Sequence, residues 1–388
     1  MAETDLGRLK VLVVDDQALM RRTIKSILRQ AGIEDIKEAE DGVVALRMLQ
    51  QDTYHLVISD WNMPRMRGNE LLRSIREDDQ LKDIPFLMVT GEMDEAVVGE
   101  AGETNVGAYI LKPFGAKTLL EKVAQLIDRK KSPSKIDSCL QLAMTHLEAG
   151  EYDQALDQVQ AARAISRNSP RVLYVSGLIF EAKKEHKKAE RVYLKALELS
   201  PKFVKAHERL SYLYELAGKT DKVVEHLMRA SEINPRNIDR QLNLGEKLLE
   251  QGDPEKAKEI FKHTQRISDV TTAELTKRIG DIYLKKEMIS EAIDAYEKTA
   301  ELLPDDVYVL NRMGISYRKL GEWDNALKVY KKALELCPDD ENIYYNVGRT
   351  YLEMGNKYRA LDYFEQALKA YPDFAEAKAV IQKLTNAS

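Results

Sequence analysis

The sequence has little of what marks several common classes of protein. Its two cysteines, Cys139 and Cys337, stand far apart in 388 residues, which fits neither a disulfide framework nor a zinc site. No run approaches the ~18 apolar residues of a membrane span. Met1 to Lys10 is charged and lacks the apolar segment of a secretory signal. The six histidines are scattered and read as surface or packing residues. There is no glycine-rich phosphate loop, no Ser/His/Asp order and no helix-turn-helix output domain. The net charge of −5 is small for this length, and no basic block or basic helix stripe stands out, so nucleic acid is not expected as the partner. These absences point to a soluble, cytoplasmic protein of a reducing compartment, with two or more domains and no metabolic activity.

What is present begins with Leu56-Val57-Ile58-Ser59-Asp60, an apolar run that reads as a strand buried on both faces. It delivers Asp60 to its C-terminal end, and Pro64 prevents regular structure from continuing. Four further strands are expected: Leu9–Val14, ending in Asp15-Asp16; a weak one at Ile36–Glu40; Ile84–Val89, ending at Thr90; and Gly107–Leu111, ending at Lys112-Pro113. Amphipathic segments alternate with them, over Ala18–Gln30, after Asp41-Gly42, around Leu71–Ile75, more loosely around Glu95–Glu103, and over Ala116–Arg129. Strands alternating with helices imply a doubly wound α/β domain with a five-stranded parallel sheet.

Right-handed crossovers place all five strand ends on one rim, where open α/β sheets bind ligands. Asp15, Asp16 and Asp60 would then converge, which is unfavourable unless a cation or proton neutralises them. An oxygen-only set of this kind suits Mg²⁺. Thr90 adds a hydroxyl donor and Lys112 a fixed positive charge, as an incoming phosphoryl group requires. A carboxylate nucleophile beside Mg²⁺ makes an aspartyl phosphate. Asp-Asp pairs alone carry little information, since the chain also has Asp78-Asp79, Asp305-Asp306 and Asp339-Asp340. The strand-end placement of all five polar residues carries the reading.

On these motifs residues 7 to 130 resemble a response-regulator receiver domain, and Ser59-Asp60-Trp61-Asn62-Met63-Pro64 is especially similar to chemotaxis receivers. The resemblance implies the flavodoxin-like strand order 2-1-3-4-5, for which the chemotaxis receiver is a standard example. It implies Asp60 as phosphoacceptor, with Asp16, Asp60 and the Asn62 carbonyl on Mg²⁺ and Asp15 acting largely through water. Lys112 would contact the phosphoryl group, Thr90 would be drawn toward it, and Tyr109 would be the aromatic that turns inward as the threonine moves. Gly91 would leave room for the phosphodonor, and Asn62 and Glu92 would tune phosphoryl lifetime. Arg67 stands where the chemotaxis receivers have an acid, so the partner surface there differs.

Residues 131–135 contain Ser132-Pro133-Ser134 and read as a linker. Beyond them, over 136–388, the chain repeats. Small residues recur at Ala143, Gly177, Ser211, Gly245, Gly280, Gly314 and Gly348, at intervals of 34 with one of 35. Each is followed by Ala or Val twelve residues on and, four further, by Val159, Tyr193, Leu227, Phe261, Tyr296, Tyr330 or Phe364. This is the tetratricopeptide period. The segment resembles an all-α tetratricopeptide solenoid of about seven repeats, with Ala375–Leu384 as a capping helix. Arg167 and Asp269 replace the junction proline in repeats one and four. First helices are expected to line a concave groove, with Lys277, Arg278, Asn311, Arg312, Asn346 and Arg349 exposed to an acidic or C-terminal peptide.

The expectation from the whole is a two-component response regulator. A histidine kinase would phosphorylate Asp60, and phosphorylation would control protein binding by the array. The route would run through the predicted fourth helix, the fifth strand and the helix Ala116–Arg129, which leads into the linker. Two alternatives stay open: a constitutive scaffold whose receiver only docks a kinase, and a phosphate sink. The kinase, the array's ligand and the sign of regulation are not encoded legibly, and a homodimer is compatible with both halves.

Overall fold

The computed structural model describes residues 8–78, 80–91, 108–131, 134–267 and 271–386. The expected helix at Glu95–Glu103, Glu92 and Asp269 lie outside the described residues. The chain divides into two compact units, Met1–Asn237 and Ile238–Ser388. No described helix is long and apolar enough to cross a membrane.

The first unit opens with five strands, β1 (Lys10–Val14), β2 (Asp35–Ala39), β3 (Leu56–Asp60), β4 (Phe86–Thr90) and β5 (Ala108–Leu111). All pairings are parallel, in the expected order β2-β1-β3-β4-β5. β3 and β4 are buried at every position, because the sheet is covered on both faces. Strand alternation divides its apolar side chains between two cores. Leu12, Val57 and Phe86 meet Leu49, Leu71, Leu72 and Ile75 of the helices Gly42–Gln51 and Gly68–Glu77. Val11, Val13, Ile58 and Leu87 meet Ile24 and Leu28 of Ala18–Gln30 and Leu119 and Val123 of Ala116–Lys131. Each such side chain contributes up to about 1.5–3 kcal/mol of burial. Gly68 closes the site-bearing strand against its helix: a Cβ there would lie 2.1 Å from the Asp60 carbonyl oxygen.

The repeats form helix pairs. Three lie in the first unit: Lys135–Glu148 with Tyr152–Ile165, Pro170–Ala182 with His186–Leu199, and Val204–Leu216 with Thr220–Ile233. Four lie in the second: Ile238–Gln251 with Pro254–Ile267, Thr272–Lys285 with Ile289–Leu302, Val307–Leu320 with Trp323–Leu336, and Glu341–Glu353 with Lys357–Ala370. The last helix, Ala375–Asn386, follows them, as expected of a cap. The spacing of sixteen residues between small and large positions has a direct cause. A Cβ on Gly177, Gly245, Gly280, Gly314 or Gly348 would come within 2.2–2.8 Å of the ring of Tyr193, Phe261, Tyr296, Tyr330 or Phe364 respectively. Glycine is therefore required wherever the partner is aromatic. Where the partner is Val159 or Leu227, Ala143 and Ser211 fill the same place.

The scattered histidines include a pair that spacing does not reveal. His207 and His226 are buried, with their Nδ1 atoms 2.9 Å apart. His207 Nε2–H donates to the Pro201 carbonyl at 3.0 Å, so His207 Nδ1 accepts and His226 Nδ1–H donates. Burial holds both imidazoles below their ordinary range, His226 at about 4, with His207 adding to its depression.

Two outcomes follow from this packing. Gly314→Ala forces the Tyr330 ring to move and destabilises by about 1–3 kcal/mol in denaturant unfolding, and adding Tyr330→Leu recovers part of the loss. Below about pH 6.5 the unfolded chain binds protons at His207 and His226 that the folded chain refuses, so their stability contribution fades as pH falls. The denaturation midpoint therefore drops between about pH 7.5 and pH 5, and drops less in His226→Gln.

Candidate functional site

The rim of the sheet gathers the expected polar residues. Asp15 follows β1, and its amide donates to the Ala39 carbonyl at 3.3 Å. Asp60 ends β3, with the Trp61 amide fixed on the Val89 carbonyl at 2.9 Å. Oxygen atoms of Asp15, Asp16 and Asp60 all lie within 4.8 Å of one another. Asp15 and Asp60 are buried while Asp16 is exposed. The Lys112 ammonium bridges the buried two, 2.9 Å from Asp60 Oδ1 and 3.0 Å from Asp15 Oδ2. Its backbone is tied in as well, the Lys112 amide donating to the Thr90 carbonyl at 2.6 Å. Thr90 is 2% exposed at the end of β4.

The electrostatics follow from burial. Desolvation pushes the Asp60 carboxyl above the ordinary carboxylate range, against the opposing pull of the Lys112 hydrogen bond. For Lys112, burial favours the neutral amine, but its contacts with Asp60 and Asp15 outweigh this and hold the ammonium above its usual range. Three carboxylates face one ammonium. A hard divalent cation fits the surplus: the donors are all oxygen, and one carboxylate opens to water, as Mg²⁺ prefers.

Other expected residues stand around this centre. Asn62 is exposed on the loop after β3. Among the described residues, no atom lies within 4 Å of where a Cβ on Gly91 would be. Tyr109, on the edge strand β5, is 44% exposed.

Three participants escaped the sequence reading. Arg21 donates to the Asp15 carbonyl at 2.6 Å and lies 3.4 Å from Glu38. Arg65 adopts a left-handed backbone, φ 65°, where a side chain costs about 1–2 kcal/mol. Its guanidinium pairs with Glu40 at 2.7 Å and with the fully buried Asp41. Asp41 also caps the helix Gly42–Gln51 through the Val44 amide at 2.9 Å. Together with the Gly42 amide on the Met66 carbonyl at 3.1 Å, this pins the loop that carries Asn62. The expected absence of a basic helix stripe does not hold: Arg21, Arg22, Lys25 and Arg29 of Ala18–Gln30, with Glu38, line one open cavity of about 730 Å³.

The six groove residues are half-buried rather than freely exposed, because the array's own polar side chains engage them. Arg278 pairs with Asp239 at 2.5 Å, Lys277 with Glu274 at 2.7 Å, and Arg349 with Glu353 at 3.6 Å. Arg312 lies 3.6 Å from Asp281, which also accepts from Tyr296 and Tyr308. Asn346 Nδ2 donates to Asn311 Oδ1 at 2.9 Å.

Known proteins resemble parts of this chain. The family model described as response regulator receiver domain matches residues 11–124. Chemotaxis protein CheY-3 of Vibrio cholerae is 45% identical over 121 residues, which are 31% of this chain and 93% of that protein. The chain belongs to the response-regulator receiver family. Chemotaxis protein CheY of Pseudomonas aeruginosa is 44% identical over 121 residues, covering 31% of this chain and 98% of its own. The solved chemotaxis response regulator CheY4 of Vibrio cholerae is 35% identical and covers 30% of this chain and 98% of that one, with a TM-score of 0.29. Tetratricopeptide repeat models match residues 140–202 and 341–374, and a TPR repeat model matches 314–355. A response-regulator receiver is thus joined to tetratricopeptide repeats, and both are regulatory or scaffolding families.

Arg65 gives this site its test. Arg65→Ala keeps the left-handed strain and loses both ion pairs, so amide exchange at Gly42 and Gly68 speeds up by about tenfold for each 1.4 kcal/mol lost. Arg65→Asn, a residue that tolerates this backbone, loses less.

Proposed function

We propose that this receiver accepts a phosphoryl group on Asp60 from a histidine kinase, and that the modification controls protein binding by the tetratricopeptide array. The carrying observation is the Lys112 ammonium seated between Asp60 and Asp15 at the rim. An Asp60 oxygen attacks phosphorus, the bond from phosphorus to the donor histidine nitrogen breaks, and the imidazole takes up a proton. The Lys112 ammonium follows the charge onto the phosphoryl oxygens, and the Thr90 hydroxyl donates to one of them. Asp16, Asp60 and the Asn62 carbonyl would hold Mg²⁺, with Asp15 acting through water; bound there, the ion supplies neutralising charge to the carboxylates and the incoming oxygens. Tyr109 is the aromatic that follows Thr90 inward.

In this reading residues 1–130 are the receiver, 131–135 the linker and 136–388 the array. The helix Ala116–Lys131 runs directly to that linker. Lys277, Arg278, Asn311, Arg312, Asn346 and Arg349 form the peptide-facing set. An acidic partner would exchange with Asp239 and Asp281 for their cations.

With acetyl phosphate and Mg²⁺, the wild-type chain gains one phosphoryl group labile to base and to hydroxylamine, and Asp60→Asn gains none. Lys112→Ala slows uptake by roughly a hundredfold, as loss of a charge-stabilising donor does elsewhere. Intact-mass measurement reads both. Equal labelling of Asp60→Asn would remove the assignment.

A further inference from the structure

A cavity of about 190 Å³ opens in the second unit between the helices Pro254–Ile267, Thr272–Lys285 and Ile289–Leu302. Elsewhere in this unit each second helix lies more fully against the first helix of the next pair. The looser junction coincides with the irregular interval, 35 residues from Gly245 to Gly280 where the flanking intervals are 34. One added residue can displace the following helix by up to ~3.5 Å, enough to separate helix surfaces that otherwise touch.

Phe261, Ile279, Tyr283 and Ala295 give the cleft an apolar lining, and each is under a tenth exposed. Phe261 and Tyr283 meet edge to face with ring centres 5.4 Å apart. The polar wall is already satisfied within the protein: Gln265 Nε2 donates to Thr276 Oγ1 at 3.1 Å, and Thr276 Oγ1 donates to the Thr272 carbonyl at 2.6 Å.

The mouth differs from that wall. Lys258 is shared between Glu255 and Glu291, each at 3.4 Å. Lys262 and Lys298 line the same cleft, are exposed, and hold no ion pair among the described residues. Asp294 is the one lining acid outside the Lys258 pairs among the described residues, so on the Lys262 and Lys298 side of the mouth two ammonium groups face one carboxylate, while the two glutamates share Lys258 on the other side. An apolar cavity of about 150 Å³ holds benzene, so the lining has room for a phenyl or branched-alkyl group. A phosphate would leave the apolar lining unfilled, and a neutral hydrocarbon would leave the surplus ammonium of the Lys262 and Lys298 side unanswered.

We propose that this cleft binds a small amphipathic carboxylate, its phenyl or branched-alkyl group lying against Phe261, Ile279 and Tyr283 and its carboxylate at Lys262 and Lys298. The site is independent of the receiver chemistry. A free carboxylic acid and the last residue of a peptide present the same atoms.

Ligand-observed NMR titrations of the full-length chain test this, with phenylacetate and its neutral amide as probes. Phenylacetate binds saturably, and the amide about tenfold more weakly, as loss of a charge-assisted contact implies. Lys262→Gln/Lys298→Gln weakens phenylacetate to the level of the amide. Both side chains are exposed, so this variant keeps its fold, which circular dichroism checks. Ala295→Leu fills the lining and removes both ligands. A short acetylated peptide ending in phenylalanine with a free carboxyl separates the sources. Tighter binding than phenylacetate assigns the site to a peptide terminus, and exclusion of the peptide while phenylacetate still binds assigns it to a free acid. Equal binding of acid and amide, an unchanged double-lysine variant, or no binding of any probe would overturn the proposal.

Discussion

The ammonium of Lys112, held between the carboxylates of Asp60 and Asp15, is the interaction on which the rim of the receiver sheet depends. A parallel sheet buried on both faces leaves its strand ends as the place for charge. β1 and β3 each deliver an acid there and β5 a base. Partial burial makes each group costly alone and the cluster tolerable only together. The same surplus of negative charge makes the pocket receptive to a divalent cation, which would answer the charge that Asp15, Asp16 and Asp60 leave unbalanced. Reactivity and structural tension at this rim are one electrostatic fact.

The repeats rest on a steric constraint rather than an electrostatic one. Tyr330 can occupy its place only because Gly314 has no side chain, and the same exchange recurs at four other positions. Ion pairs such as Arg278 with Asp239 then join successive helix pairs. Pairs that are largely exposed contribute little individually.

Most of this architecture was legible before the fold was known, and the features that were not share a cause. β3 reads as a strand because its apolar run and terminal acid are contiguous in sequence. The repeats read because a steric exchange between positions sixteen apart recurs through the chain. Asp41 with Arg65, Arg21 with the Asp15 carbonyl, and His207 with His226 leave no such trace. Each joins residues of ordinary surface type whose meeting depends on how loops and helices are placed. The groove cations illustrate the same limit: their charge and helix position were visible, but not their acidic partners on neighbouring helices or within the same one. One local signal was available, the interval of 35 residues at the loosest junction within the second unit, and it marks a cleft that periodicity alone treats as noise.

The central claim is that the state of the Asp60 pocket is felt by the array. Amide hydrogen exchange on the full-length chain, with and without Mg²⁺ and beryllofluoride, tests it most directly. The account predicts slower exchange at the ends of β3 and β4 and a further change, past the linker, in the helices Lys135–Glu148 and Tyr152–Ile165. Protection that stops at Lys131 would contradict it and leave a receiver that shares a chain with the repeats without governing them.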